Sequence, residues 1–342
     1  MNKSKDNKLL IVFSAVFYII TASLMLVGTF KDLTVNLMLF NPESSVSRFF
    51  ESFGQVVYWG LWGPAFTIIF LCRRDLNESL GVIGKIIPFV KPVKNTEHGA
   101  YKFFNMLLKI VTAAAFFALA VIGWKKLIEN VLKNIIGEGT ISQAVYFIIC
   151  AVFAAIMIFV FSKIDKNILR KLEALALAGV LLGIFYKIVE ECKNITSRVR
   201  FREMVAYSNH FLNDKGLSEG KYSPLTSAMA ENSDFSAFTN WYKIGNDMGI
   251  YSRADSFPSG HTNYGCTLFL TYPLCLAFDK LKKVAPFALS VSFLYVAFMG
   301  LTRIIAGAHY LTDVAGAAII GYTLFLVVYK IYNVFTEKKI IG

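Results

Sequence analysis

Eight apolar stretches, each about twenty residues long, constrain this chain more than any other feature of it. A helix needs roughly 20 apolar residues to cross a hydrocarbon core of about 30 Å. The stretches fall at about 9–30, 51–72, 104–124, 143–162, 171–190, 262–279, 285–302 and 311–333. The first has a long apolar run with no small-residue cleavage site after it, so it reads as a span and not as a removed leader. With 56% hydrophobic residues in 342, the composition excludes a disordered, collagen-like or ordinary cytosolic chain. The expected fold is all-α: a polytopic membrane helical bundle of about eight transmembrane helices.

The net charge of +12 would raise nucleic acid as a partner in a soluble protein, but here the cations first have to be read as topology signals. With the N-terminus inside, the inner segments carry nineteen Lys and Arg and the short outer loops six. The positive-inside rule then places both termini in the cytoplasm. No nucleic-acid partner is expected. The long polar segment at about 191–260 becomes an extracytoplasmic cap, loop-rich because of Gly216, Gly220, Gly245, Gly249 and many Ser and Asn. The five cysteines form no CxxC pair, so neither a disulfide framework nor a zinc site follows from them.

Three clusters on that outer side carry chemistry. Lys193, Arg198, Arg200 and Arg202 sit just outside the fifth span, against the charge rule. Lys193 and Arg200 are seven residues apart, which on a helix puts both on one face about 10 Å apart, able to grip one anion. Pro258-Ser259-Gly260-His261 opens the sixth span, where a helix start offers a cap and backbone N–H groups to an anion. Thr302-Arg303, His309 and Asp313 follow at the next outer helix start. The i, i+4 spacing lets the Asp313 carboxylate reach the His309 imidazole and hold one tautomer. Each cluster alone is weak, since a basic turn, an ordinary helix N-terminus and a capping His/Asp pair are all common. The chain runs down the sixth span and back up the seventh, so all three meet one membrane face. Arg forks suit phosphate oxygens, and the combined charge suits a phosphoryl transition state.

At these residues the sequence resembles the type 2 phosphatidic acid phosphatase family, the membrane branch of the superfamily that includes vanadium haloperoxidases and soluble bacterial acid phosphatases. The resemblance covers about 171–333. It departs at Phe201, where the family has Pro, and at Thr302, where it has Ser. It implies a six-helix lipid-phosphatase-like core with two additional N-terminal spans, giving 1–130 as N-terminal membrane helices and 131–342 as the phosphatase core. It also implies that His309 is the nucleophile, that Asp313 orients it, and that His261 is the acid and base. Lys193, Arg200, Ser259, Gly260 and Arg303 would bind phosphate, without cofactor or metal.

The expected function is hydrolysis of a lipid phosphate, with undecaprenyl diphosphate, phosphatidylglycerol phosphate and phosphatidic acid all compatible. A lipid phosphotransferase using the same site is an alternative. A non-catalytic lipid-binding transporter or scaffold is another, though the broken mid-membrane helices of many transporters are not evident. Trp241, Tyr242 and Lys243 in the cap are candidates for substrate selection or for interfacial anchoring. His98 and His210 receive no role.

Overall fold

The computed structural model describes residues 3–73, 99–136, 142–191, 193–209, 225–243 and 255–337. The inner basic loop around Lys85, both unassigned histidines, Cys192 and large parts of the cap lie outside these. Twelve α-helices are described: α1 Lys3–Leu39, α2 Ser45–Phe53, α3 Val56–Arg73, α4 Gly99–Ile136, α5 Gln143–Phe161, α6 Lys166–Glu191, α7 Lys193–Thr196, α8 Phe201–Ser208, α9 Gly260–Gly265, α10 Thr271–Ala277, α11 Ala285–Ile305 and α12 Leu311–Glu337. Short 3₁₀ turns occur at Ser227–Asn232, Cys266–Leu270 and Lys282–Val284. Among the described residues the only extended pairing is an isolated parallel bridge between Arg198 and Asp255.

Among the described residues, seven helical stretches are long and apolar enough to cross a membrane: Lys8–Leu39, Ser45–Arg73, Met106–Leu132, Gln143–Phe161, Lys166–Glu191, Lys282–Ile305 and Leu311–Glu337. Their exposed side chains are themselves apolar, as at Ile11, Leu26 and Phe30 of α1 and Phe147 and Ile148 of α5. A water-facing helix would carry its polar residues there. The fold is therefore an all-α polytopic membrane bundle.

The eighth expected crossing, 262–279, is helical but broken. It consists of α9, a 3₁₀ turn and α10 in succession, none of them long enough alone. Pro273 has no N–H to give to the carbonyl four residues earlier. Beside that break, Thr271 Oγ1 and Ser292 Oγ both donate to the Leu268 carbonyl, at 2.7 and 3.0 Å.

The chain divides into two compact units. One comprises Val56–Leu182, Pro273–Lys282 and Leu326–Gly342. Its described polar contacts include Trp124 Nε1 donating to Thr67 Oγ1 at 3.0 Å and the buried ion pair of Arg73 with Glu173. The other comprises Met1–Gln55, Gly183–Tyr272 and Lys283–Phe325 and contains all three motif clusters. In it α1 runs antiparallel to α12, tied by Ser14 to Tyr322 (2.8 Å), Tyr18 to Thr323 (2.8 Å) and Asp32 to the Thr312 N–H (3.0 Å). Phe17 stacks on Tyr322 at 4.2 Å and Phe269 meets the same ring at 4.8 Å. Each such pair contributes about 0.5–1.5 kcal/mol beyond burial. This aromatic cluster fixes α1 against the helix that carries Asp313.

Candidate functional site

The first motif is not one helix. Lys193–Thr196 makes a single turn, Ser197 takes a left-handed φ of 45°, and Arg198–Arg200 is extended, with Arg200 capping α8. The expected helical face for Lys193 and Arg200 is therefore replaced by a turn and an extended strand-like run. The two cations still approach each other. Burial, and then the neighbouring Arg200 charge, hold the Lys193 ammonium below the usual lysine range. Phe201 occupies the first helical position, where the family Pro would also fit because that N–H has no intrahelical partner. Its ring is fully buried, stacked on Phe235 at 5.0 Å and against Phe40 at 5.1 Å.

Backbone hydrogen bonds stitch the motifs together. Ser256 N–H donates to the Arg198 carbonyl at 3.0 Å, Ser259 N–H to the Asp313 carbonyl at 3.1 Å, and Arg202 N–H to the Gly307 carbonyl at 2.9 Å. Gly307 ends the α11 segment with φ of 63°, a conformation that favours glycine. A Cβ there would lie 2.7 Å from the Phe40 ring. This turn swings the chain from Arg303 to His309.

His309 sits in that turn, almost fully buried. Its Nδ1 lies 2.7 Å from the Ser256 carbonyl and therefore carries the proton, which leaves the lone pair on Nε2. Asp313 Oδ2 stands 3.8 Å from Nδ1, beyond hydrogen-bonding range. The expectation that Asp313 itself fixes the tautomer is thus modified: the Ser256 carbonyl does so, and Asp313 adds its charge. Burial pushes the imidazole below the ordinary histidine range, against the Asp313 charge and with help from Arg200, so the ring is neutral at neutral pH.

Asp313 is fully enclosed. It accepts from Arg198 Nη1 (2.6 Å), Ser256 Oγ (2.5 Å) and Tyr310 N–H (2.8 Å). The last is the reach of a third helical residue back to the cap N–H, as in a capping box. Arg198 is the hub of this region. Its Nη2 donates to Asp32 Oδ2 at 2.8 Å, its Nη1 to Thr312 Oγ1 at 2.8 Å, and its Nε to the Thr239 carbonyl at 2.8 Å. The guanidinium also lies 4.0 Å over the Tyr310 ring. Burial works against its charge, but Asp313, Tyr310 and Asp32 outweigh it and keep its pKa above the ordinary arginine value.

The second motif begins as expected. Ser259 caps α9, its Oγ accepting from Thr262 N–H. Its own N–H is already given to Asp313, so the phosphate-binding role expected of the Ser259 backbone has no free donor there. Gly260 differs, because a Cβ on it would lie 3.1 Å from Lys193 Nζ. The lysine head thus hangs directly over the start of α9. His261 is partly exposed, its Nε2 3.1 Å from the Glu51 carbonyl, with Gln55 Nε2 3.1 Å from Nδ1. Burial, followed by the Arg303 charge, holds its pKa well below the usual value.

The cations differ in their partners. Arg303 Nη1 is 3.2 Å from Glu51 Oε2, and Arg202 Nη1 is 3.3 Å from Glu51 Oε1. Arg200 Nη2 is 2.8 Å from Asp255 Oδ1. The Lys193 ammonium makes no ion pair among the described residues; Asp255, Glu190 and Asp313 act on it through their charge alone. Arg200 Nε and Arg303 Nε are buried donors without an acceptor among them. Lys193, Arg200, Gly260, His309 and Asp313 are thus drawn together, with Arg303 and His261 joined to each other through Glu51.

Four residues that matter here were missed in the sequence: Asp32, Asn36, Glu51 and Gln55, all outside the motif region. Asn36 Nδ2 holds the His309 carbonyl at 3.1 Å. A signal existed, since Asp32 and Asn36 are spaced i, i+4 in a helix otherwise apolar enough to span a membrane, where charge is costly and marks function.

Fold and site together define a polytopic membrane protein that concentrates positive charge around two neutral histidines. The sequence model of the PAP2 superfamily matches residues 204–337. The match takes in the second and third motifs and leaves Lys193 and Arg200 outside. That superfamily includes phosphatases. No curated protein and no solved structure gives a significant match.

Proposed function

We propose that the chain is an integral-membrane lipid phosphate phosphatase working through a phosphohistidine on His309. The observation that carries this reading is the pair of unmet donors near a neutral imidazole, Arg200 Nε and Arg303 Nε, buried without acceptors among the described residues, with the Lys193 ammonium over the start of α9 beside them. Buried donors ordinarily have partners, and phosphate oxygens would provide them.

In the first step the Nε2 lone pair of His309 attacks phosphorus while the proton stays on Nδ1, donated to the Ser256 carbonyl. Binding of the anionic phosphate favours the imidazolium form of His261; the phosphorus–oxygen bond to the lipid breaks, and the leaving oxygen takes the proton of that imidazolium, leaving His261 neutral. The positive ring is stabilised by Asp313. Lys193, Arg200 and Arg303 hold the three equatorial oxygens. In the second step His261 removes a proton from water as it attacks phosphorus, and the bond to Nε2 breaks to free phosphate. Among the described residues no three His, Cys, Asp or Glu side chains converge as a metal site, and the scheme uses none.

A lipid substrate is supported by an open cavity of about 390 Å³ lined by Ile195, Trp241, Tyr242, Phe257 and Ile320, almost wholly apolar. It borders the first and second motifs and suits an acyl or prenyl chain. By the charge distribution of the loops, the site faces the extracytoplasmic side of the cell membrane, with both termini cytoplasmic.

The reading is tested with purified protein in detergent micelles against a panel of lipid monophosphates and diphosphates. Inorganic phosphate should be released from at least one. Transfer of the phosphoryl group to a second lipid, with no free phosphate, would replace hydrolysis by phosphotransfer. Folded protein that acts on none would overturn the proposal.

A further inference from the structure

Glu51 lies far in sequence from the three motifs, yet it meets two of them. Its carboxylate spans the Arg202 and Arg303 guanidinium groups at 3.2–3.4 Å. Its main-chain carbonyl lies 3.1 Å from His261 Nε2. Gln55, one turn further on, approaches the other ring nitrogen. A single short segment, α2 and the turn after it, therefore covers both a phosphate-binding arginine and the proposed acid.

Three observations show that this cover is not a sealed structural ion pair. The Glu51 contact with Arg303 Nη1, at 3.2 Å, and that with Arg202 Nη1, at 3.3 Å, are longer than the 2.7–2.9 Å or so typical of charge-assisted bonds between a cation and a carboxylate. The Glu51 side chain keeps 13% of its surface exposed, against 2% for Arg303, so the pair is open on the carboxylate side. Arg303 also keeps a buried Nε with no acceptor among the described residues, so one carboxylate does not satisfy it. By contrast Arg198, held by Asp32 and Asp313 with both acids buried, has its donors engaged at 2.6–2.8 Å.

We infer that Glu51 is a resident competitor for the substrate phosphate: its carboxylate occupies the Arg303 side of the anion site and is displaced when a phosphoryl group binds. This rests on the phosphatase reading above and deepens it, by assigning the position that sets how tightly the site holds phosphate. A phosphoryl group brings about 1.5–2 negative charges at pH 7 and three oxygens, so it outcompetes one carboxylate for Arg303 and fills the Nε donor as well. The carboxylate returning to Arg303 would favour release of the inorganic phosphate product. Glu51 touches no reacting atom in this scheme and acts as a specificity-determining and positioning residue. The segment that carries it is suited to move against lipid, since α2 is strongly two-faced, with Val46 and Phe49 exposed opposite the Glu51 side.

The test is titration of full-length protein in detergent with inorganic phosphate, read by calorimetry and by thermal midpoint. Glu51→Gln keeps the shape and removes the charge, and phosphate should bind about tenfold more tightly than to the wild type. Glu51→Asp keeps the charge, shortens the reach and preserves folding if the glutamine variant does not fold. It should tighten binding by about threefold. A merely structural counter-ion would lower the midpoint of both variants and leave phosphate affinity unchanged or weaker, which would overturn the inference. Binding in the wild type with no tightening in either variant sinks this inference alone. Absence of phosphate binding in all three proteins sinks the phosphate site with it, whereas binding only in the variants supports the competitor role.

Discussion

The two histidines of the site are held in opposite ways. His309 is enclosed, its tautomer fixed by a main-chain carbonyl and its surroundings ordered by the Asp32–Arg198–Asp313 relay, in which every described contact is short and buried. His261 is partly exposed, and its nitrogens are met by Glu51 on a short two-faced helix and by Gln55 in the turn after it. A nucleophile has to be in place before substrate arrives, because misplacement of about 1 Å costs orders of magnitude in rate. An acid that must follow a leaving group into and out of the site gains from partners that can let go. The dry, over-determined half and the open, loosely paired half thus match the two jobs assigned to them.

The comparison is broken most sharply by His309→Ala. Losing the nucleophile should lower phosphate release by about 10⁴-fold or more, measured as turnover on the best lipid of the panel. Asp313→Asn comes next. It leaves the fully buried Arg198 with one carboxylate in place of two, so turnover should fall by about 10²–10³-fold and the unfolding midpoint should drop, as for a broken buried pair costing about 3–5 kcal/mol. Asp32→Asn, on the same relay but further from His309, should cost less than half of that, since Arg198 keeps Asp313; activity and thermal midpoint measured together check the order. Equal losses for the two aspartates would mean that the relay acts through Arg198 alone.

A smaller effect is expected from pH. Both histidines have folded pKa values below the unfolded value of about 6.5. Below that pH the unfolded chain binds protons that the folded chain does not. Stability should therefore be constant above about pH 6.5 and fall on acidification, by up to about 1.4 kcal/mol per pH unit per histidine. His261→Gln should flatten the slope of midpoint against pH by about one proton's worth, and His309→Gln by a similar amount.

The motif residues of both halves were legible in the sequence, and their partners from α1 and α2 were not. The spacings of Pro258-Ser259-Gly260-His261 and of Arg303, His309 and Asp313 carry the chemistry in local order, and the apolar periods carry the spans. The break in 262–279 was harder to see, because Pro273 near the start of α10 is compatible with a continuous helix until the Ser292 and Thr271 hydroxyls are placed. The Lys193 to Arg200 interval looked helical by number, but Ser197 turns the chain. Glu51 was invisible for a different reason: in sequence it sits at the border of an apolar run, and only the turn at Gly54 and Gln55 separates α2 from α3 and brings its carboxylate to Arg303. Long-range pairs of single residues leave no local pattern, whereas motifs do.

The central claim is that His309 carries the phosphoryl group. It is tested by mixing enzyme with lipid phosphate, quenching at alkaline pH, where phosphohistidine survives, and mapping the modified peptide by mass spectrometry. The account predicts a phosphoryl group on the peptide containing His309, absent from His309→Ala and accumulating in His261→Ala, where the water step is slowed. A phosphoryl group on another residue, or sustained turnover by His309→Ala, would contradict it.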